Sequence, residues 1–491
     1  MEAKFDWLKY KWIIFGAIAF RLIAVIFSQG YGMHDDHFLI IEASSSWVDG
    51  YDYNNWLPWT EGNKGPDGHS FSYVGLNYIY FEIMKFFGFA DPKTLMLFNR
   101  LIHAAFSMII VVYGIKITRK FSSEENAVRV GWLLALTWAI PLLSVRNLVE
   151  TAAAPLLVLG FWYLIREKGI RDYLWAGLLI GFAVSFRYQI GVFAIGLAAY
   201  YFFQWKWKPF FLFCSGVLIV FLITQGVVDY MIWGYPFAEM LGYILYNMKE
   251  GTAYMPNNNY FMYFLVLAGS MLFPFGLLMM TGFFKSWKKY FILFMPTLIF
   301  ILFHTLYPNR QERFILTILP FFIILGVLGY DLFKTSKAKE KIWKFSWIAF
   351  WVLNIPMLFI ASTTYTKKSR VESMYAIYGN GKETNLILCE GTGNNSTSML
   401  PRFYCGNWNT SMADRTDTSQ ILNVHEDYEF DYIYFFADKN LNQRIKQYKT
   451  IYPKMTLKKK CHPSLIDALM RKLNPRNVNE YIEVWETNVE K

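Results

Sequence analysis

Apolar residues along this chain gather into long runs that suit the thickness of a lipid bilayer, not the one-sided stripe of a helix on a soluble core. They predict helices at 12–28, 97–117, 130–146, 149–165, 173–186, 189–204, 209–228, 260–281, 289–305, 314–333 and 345–362, about eleven spans. Several are shorter than the roughly twenty residues an upright span prefers, which tilting, bilayer thinning or shielding by neighbours accommodates. Phe71–Ala90 differs. Asn77 and the Glu82/Lys85 pair sit in its middle, so it reads as a helix lying on the membrane surface. After residue 362 the pattern changes to short strand-like runs, Leu386–Cys389, Tyr432–Phe436 and Tyr481–Trp485, separated by polar, helix-compatible stretches.

Composition agrees: 55% of residues are hydrophobic and 17% charged, which excludes a soluble class. The net charge of +11 would suit nucleic acid, but the basic residues form short clusters between apolar runs, where membrane orientation accounts for them. Nucleic-acid binding is therefore set aside. With 71–90 on the surface, Lys4/Lys9/Lys11, Lys116/Arg119/Lys120/Arg129, Arg166/Lys168/Arg171, Lys206/Lys208, Lys285/Lys288/Lys289 and Lys334/Lys337/Lys339/Lys341/Lys344 all fall on one face, the cytosolic one. A span at 71–90 would push most of them outside. The opposite face then receives a first loop of about 29–96, loops near 229–259 and 306–313, and everything after 362. The expected architecture is an all-α polytopic membrane domain over 1–362 with a small extracytosolic α/β domain over 363–491. No cleavable signal is apparent, since the run Trp12–Ser28 leads into acidic and aromatic sequence. Cys214 lies in an apolar run, and Cys389, Cys405 and Cys461 allow at most one disulfide among them. No internal repeat is visible, which counts against a transporter built from duplicated halves.

Candidate chemistry sits on the non-cytosolic face. His34, Asp35, Asp36 and His37 stand in a row directly after the first span, followed by Trp47, Tyr51, Tyr53, Trp56 and Trp59. Such aromatics can stack on sugar rings, and an interfacial belt accounts for them equally. Arg146, Glu150, Arg187, Asp229, Arg310 and Arg313 recur at span ends on the same face. Ionisable groups there are costly and usually paired or functional, although an arginine can also snorkel to headgroups. Arginines that grip phosphate, together with carboxylates, match what sugar transfer from a phospholipid carrier needs. A metal site built on His34, Asp35, Asp36 and His37 is the competing reading of that row.

These residues resemble the membrane mannosyltransferases of the GT-C superfamily, in particular the GT22-like group that extends GPI anchors and N-glycan precursors. The family's His-Pro-Asp-Glu-x-Phe is similar to His34-Asp35-Asp36-His37-Phe38, with proline and glutamate replaced. Its Asn-x-x-Glu-Thr is matched by Asn147, Glu150 and Thr151. A later pattern is matched by Asp229, Trp233-Gly234-Tyr235-Pro236-Phe237, Asn247, Gly251 and Tyr263. His-Lys-Glu-x-Arg-Phe is similar to Asn309-Arg310-Gln311-Glu312-Arg313-Phe314, ahead of Pro320. The resemblance covers roughly 12–335 and implies a GT-C fold and a single inverting displacement. Asp36 would be the catalytic base. Arg313 and Arg310 would hold the donor phosphate with Arg187 and Arg146 as helpers, while His34, Asp35, His37, Asn147, Glu150, Asp229 and Asn247 would shape the substrate pocket. It implies no cofactor. The partners are a polyprenyl- or dolichyl-phosphate sugar, most directly mannose, a glycan or glycolipid acceptor, and membrane lipids. Transfer of another lipid-linked sugar such as a pentose or aminopentose to lipid, polysaccharide or protein stays open. So does the membrane, bacterial inner membrane with a periplasmic site or endoplasmic reticulum with a luminal one; sequons at Asn394, Asn395 and Asn409 do not decide it.

Overall fold

The computed structural model describes residues 6–63, 65–249, 259–333, 336–391, 400–415, 429–437, 439–474 and 479–488. Gly251, the sequons at Asn394 and Asn395, and Lys4 and Lys334 lie outside the described residues. The chain is mainly helical and divides into two compact units.

The first unit comprises 1–26, 55–76 and 99–363. A helix occupies each stretch where a span was expected. Among the described residues five helices are long and apolar enough to cross a membrane: Pro92–Phe121, Val149–Arg166, Trp207–Trp233, Glu312–Phe333 and Lys337–Thr363. A sixth joins them if Met262–Ser270 and Phe275–Lys285, bent by 118° at a break containing Pro274, count as one span. The others are shorter or interrupted. The run 130–146 shows why: its helix Glu124–Leu136 stops at Thr137 and resumes as Ala139–Leu143. Backbone groups freed inside an apolar bundle must find partners. Buried Asn354 provides them, accepting from the Trp138 N–H at 2.8 Å and donating to the Leu136 carbonyl at 2.7 Å.

Glycines allow close helix crossings in this unit. A Cβ on Gly329 would lie 1.8 Å from the Gly282 carbonyl oxygen, and one on Gly282 would lie 1.9 Å from that of Gly326. Where lipid supplies no hydrophobic drive between helices, such close packing supplies the attraction.

The second unit comprises 27–54, 77–98 and 364–491. Its sheet consists of β1 (Asn385–Glu390), β2 (Thr410–Arg415), β3 (Tyr432–Phe436), β4 (Thr456–Cys461) and β5 (Ile482–Glu486), ordered β2-β1-β3-β5-β4. β1 runs parallel to β2 and β3, and β5 runs antiparallel to β3 and β4. The helix Leu441–Ile451 covers one face, with Tyr448 packed among Leu388, Ile433, Phe435 and Trp485. The three apolar strands expected from sequence form the centre of the sheet. The two that sequence did not reveal, β2 and β4, are the polar edges, where charged residues discourage further pairing. All four cysteines are free.

Gly329→Val is expected to cost at least about 1–3 kcal/mol through overpacking, read as a lowered midpoint of thermal unfolding in detergent. Gly169→Ala, whose Cβ would meet nothing within 4 Å, should leave the midpoint in place. Equal midpoints for the two variants would contradict the close crossing at Gly282.

Candidate active site

In the first unit, Glu150 occupies the first turn of Val149–Arg166, where the positive end of the helix dipole favours a carboxylate. It is fully buried. Arg187, at the break that ends Arg171–Phe186, forms an ion pair with its Oε1 through Nη1. Arg313, in the 3-10 turn Glu312–Ile318, brings Nε to 3.9 Å from the same oxygen and donates to Gln311 Oε1 at 2.9 Å. Both guanidiniums lie over the Phe314 ring, at 4.4 Å and 5.3 Å. Thr317 donates to the Glu150 carbonyl at 3.0 Å, fixing the turn to the helix. The cluster therefore brings two buried guanidiniums to one buried carboxylate, and a guanidinium's fork of donors is also suited to phosphate oxygens.

The remaining residues singled out from sequence in this unit are also buried or turned inward. Arg310 donates to the Thr305 carbonyl at 2.7 Å and lies 4.3 Å over the Tyr260 ring. Asn147 donates to Asn99 at 2.9 Å, and Arg146 lines a small cavity with His103, Ser107 and Thr151. Asp229 accepts from the Glu239 N–H at 2.9 Å, and Asn247 accepts from the Tyr307 hydroxyl at 2.9 Å. Glu239 itself escaped the sequence reading. Its carboxylate gathers the Gly68 and His69 N–H groups and the Trp233 indole, and burial pushes it up to about 7 even against those donors. It ties the loop before Phe71 to the Trp233-Gly234-Tyr235-Pro236-Phe237 turn.

The second unit holds residues 27–54 of the first loop. Asp36 lies in a one-turn helix, His34–His37, and its carboxylate accepts the backbone N–H groups of Gly32 at 2.9 Å and Met33 at 3.0 Å. The chain ahead of it is anchored by a bridge from Gly30 to Thr366; Gly30 has φ +74° and a Cβ there would strike the Thr366 carbonyl, so only glycine fits. His37 is buried in a sandwich, 4.9 Å from the Tyr31 ring and 5.5 Å from the Tyr404 ring. Its Nε2 lies 3.3 Å from Oε1 of fully buried Glu42, which also accepts the Phe403 N–H at 3.1 Å. His34 stacks on Phe38 at 4.8 Å, while Asp35 is half-buried. Among the described residues no group of three or more His, Cys, Asp or Glu side chains is disposed to hold a metal ion. Of the loop aromatics, Trp47 donates to Asp52 at 3.0 Å, Tyr51 stacks on Trp408 and Trp59 is exposed.

A model of the Alg9-like mannosyltransferase family matches residues 12–386, which takes in His34–His37, Glu150, Arg187 and Arg313. The chain belongs to the Alg9-like mannosyltransferase family. It is accordingly a glycosyltransferase. No curated protein sequence matches the chain significantly. Among solved structures, ArnT from Cupriavidus metallidurans bound to undecaprenyl phosphate is similar with a TM-score of 0.62 and 10% identity, over 97% of this chain and 98% of that one. The apo state of the same protein gives 0.60 at 10% identity and the same coverage. An oligosaccharyltransferase from Archaeoglobus fulgidus tethered to an acceptor peptide gives 0.49 at 13% identity, over 87% of this chain and 69% of that one. The ArnT likeness places the family member in the GT-C fold.

Replacing Glu150 by Ala removes the buried carboxylate that Arg187 and Arg313 share. Breaking a buried pair in this way costs about 3–5 kcal/mol, so the apparent thermal midpoint of Glu150→Ala in detergent should fall by several degrees. An unchanged midpoint would mean that the carboxylate does not hold the two arginines.

Proposed function

We propose that the protein transfers a sugar, mannose before others, from a polyprenyl- or dolichyl-phosphate carrier to a hydroxyl of a glycan or glycolipid acceptor on the non-cytosolic face of its membrane. Family membership supports the sugar, and the distribution of basic clusters supports the face. The observation that supports the reading is the convergence of two buried guanidiniums, Arg187 and Arg313, on Glu150. Guanidiniums held close together are what a departing lipid phosphate needs.

In this scheme the Asp36 carboxylate removes the proton of the acceptor hydroxyl, and the freed oxygen attacks the anomeric carbon from the face opposite the phosphate. The carbon–oxygen bond to phosphate breaks, its electron pair stays on the phosphate, and the sugar is delivered with inversion. Arg313 and Arg187 meet the charge that grows on that phosphate, with Arg310 and Arg146 as further cations, so their contacts strengthen towards the transition state. Backbone donors from Gly32 and Met33 keep the Asp36 carboxylate in one orientation. Glu42 and the two tyrosines fix the His37 ring beside it. The 363–491 region acts as an extracytosolic domain, and Asp229 and Asn247 order the loops around the pocket. Transfer of another lipid-linked sugar is the second reading, favoured by Asp35 and His37 where the family motif has proline and glutamate.

Purified protein supplied with a panel of polyprenyl-phosphate sugars and candidate acceptors should release lipid phosphate with one of them. Asp36→Asn should lower that rate on the order of a hundredfold or more while the protein stays folded, because the amide cannot take the proton. Asp35→Asn should be milder. The reverse ranking would shift the base by one residue, and release of lipid phosphate from no donor would sink the reading.

A further inference from the structure

Near the end of the second unit a nine-residue helix, Leu465–Leu473, carries its polarity on the wrong side for a helix bathed in water. Ser464 caps it by accepting the Asp467 N–H at 3.2 Å. Asp467 is turned inward, where its carboxylate accepts the Lys368 N–H at 3.2 Å and its carbonyl accepts from Asn479 at 3.4 Å. The apolar side chains point the other way: Leu465 is 90% exposed, Leu469 51%, Met470 45% and Leu473 72%. Leu465, Leu469 and Leu473 recur every fourth residue and form one stripe, with Arg471 and Lys472 beside it. Single exposed leucines are ordinary, but four on two and a half turns form a contiguous apolar surface that calls for a cover.

The neighbouring contacts say what covers it. Strand β4, which leads into this helix, is tied through Lys459 to Glu372 at 2.7 Å, and the same carboxylate takes Lys93 at 2.7 Å. Burial alone would raise the Glu372 carboxyl, but the Lys459 and Lys93 ammoniums beside it hold it down at about 2. Lys93 sits in the first turn of Pro92–Phe121, a helix long and apolar enough to cross the bilayer, and lies 4.1 Å over the Tyr375 ring. Tyr375 in turn donates to Asp91 at 2.8 Å. The start of a spanning helix marks the level of the lipid headgroups. Just before it, Phe86, Phe87 and Phe89 are also exposed.

We propose that Leu465–Leu473 is a membrane-docking helix that lies in the headgroup layer of the bilayer holding this same chain, with Leu465, Leu469, Met470 and Leu473 in the acyl boundary and Arg471 and Lys472 on lipid phosphates. An amphipathic helix with basic flanks and bulky aliphatic residues suits that layer. The interaction is independent of which sugar the enzyme transfers.

The test uses the full chain in nanodiscs of zwitterionic and anionic phospholipid, with a nitroxide attached at Leu469→Cys or Leu473→Cys in a Cys214→Ser background. Gln443→Cys, on the exposed polar face of Leu441–Ile451, serves as the water-facing control. Collision of the nitroxide with lipid-soluble oxygen should exceed that with a water-soluble nickel chelate at 469 and 473, and the order should reverse at 443. Nickel accessibility at 469 and 473 equal to that at 443 would overturn the proposal. So would dipolar broadening between labels at 469, since it would assign the stripe to a second copy of the chain.

Discussion

A carboxylate buried in an apolar bundle is tolerable only when cations stand beside it, and those cations in turn must be held there by the chain. Glu150 imposes this on three separate elements at once. It fixes the start of its own helix, the break after Arg171–Phe186 that presents Arg187, and the 3-10 turn that presents Arg313. The Thr317 hydroxyl on the Glu150 carbonyl adds a neutral tie between the same helix and turn. Because one carboxylate is shared between two guanidiniums, the arrangement is a structural clamp.

A related demand, that groups freed from regular helix find partners where water is scarce, is met at several other places. Asn354 closes the break at Thr137, Glu239 collects the Gly68, His69 and Trp233 donors, and Glu42 takes both His37 and the Phe403 N–H. Each satisfies groups set free by a departure from regular helix.

Much of this was legible in the sequence, for physical reasons. Apolar runs of bilayer length have few alternative explanations, so helices stand where they were expected. Ionisable residues at the ends of such runs are expensive enough to be noticed, which is how Glu150, Arg187 and Arg313 were found together with the motifs that carry them. Other features were hidden. Glu42 stands five residues after His37, a spacing that an ordinary helix does not bring together but the π-helical turn Phe38–Glu42 does. The break at Thr137 is healed by a residue more than two hundred positions away. Strands β2 and β4 are polar edges with no alternating pattern to read. The grouping of 27–54 and 77–98 with the C-terminal sheet depends on long-range contacts that no local window contains.

The account stands or falls on whether the arginines beside Glu150 hold a lipid phosphate. The direct measurement is the affinity of the purified protein for polyprenyl phosphate without its sugar, for wild type, Arg313→Lys and Asp36→Asn. A planar fork of donors on two phosphate oxygens is not replaced by an ammonium, so Arg313→Lys should bind at least about tenfold more weakly, about 1.4 kcal/mol, while Asp36→Asn binds like wild type. Equal affinity for Arg313→Lys and wild type would contradict the account, since an arginine that only reaches for headgroups is freely replaced by lysine.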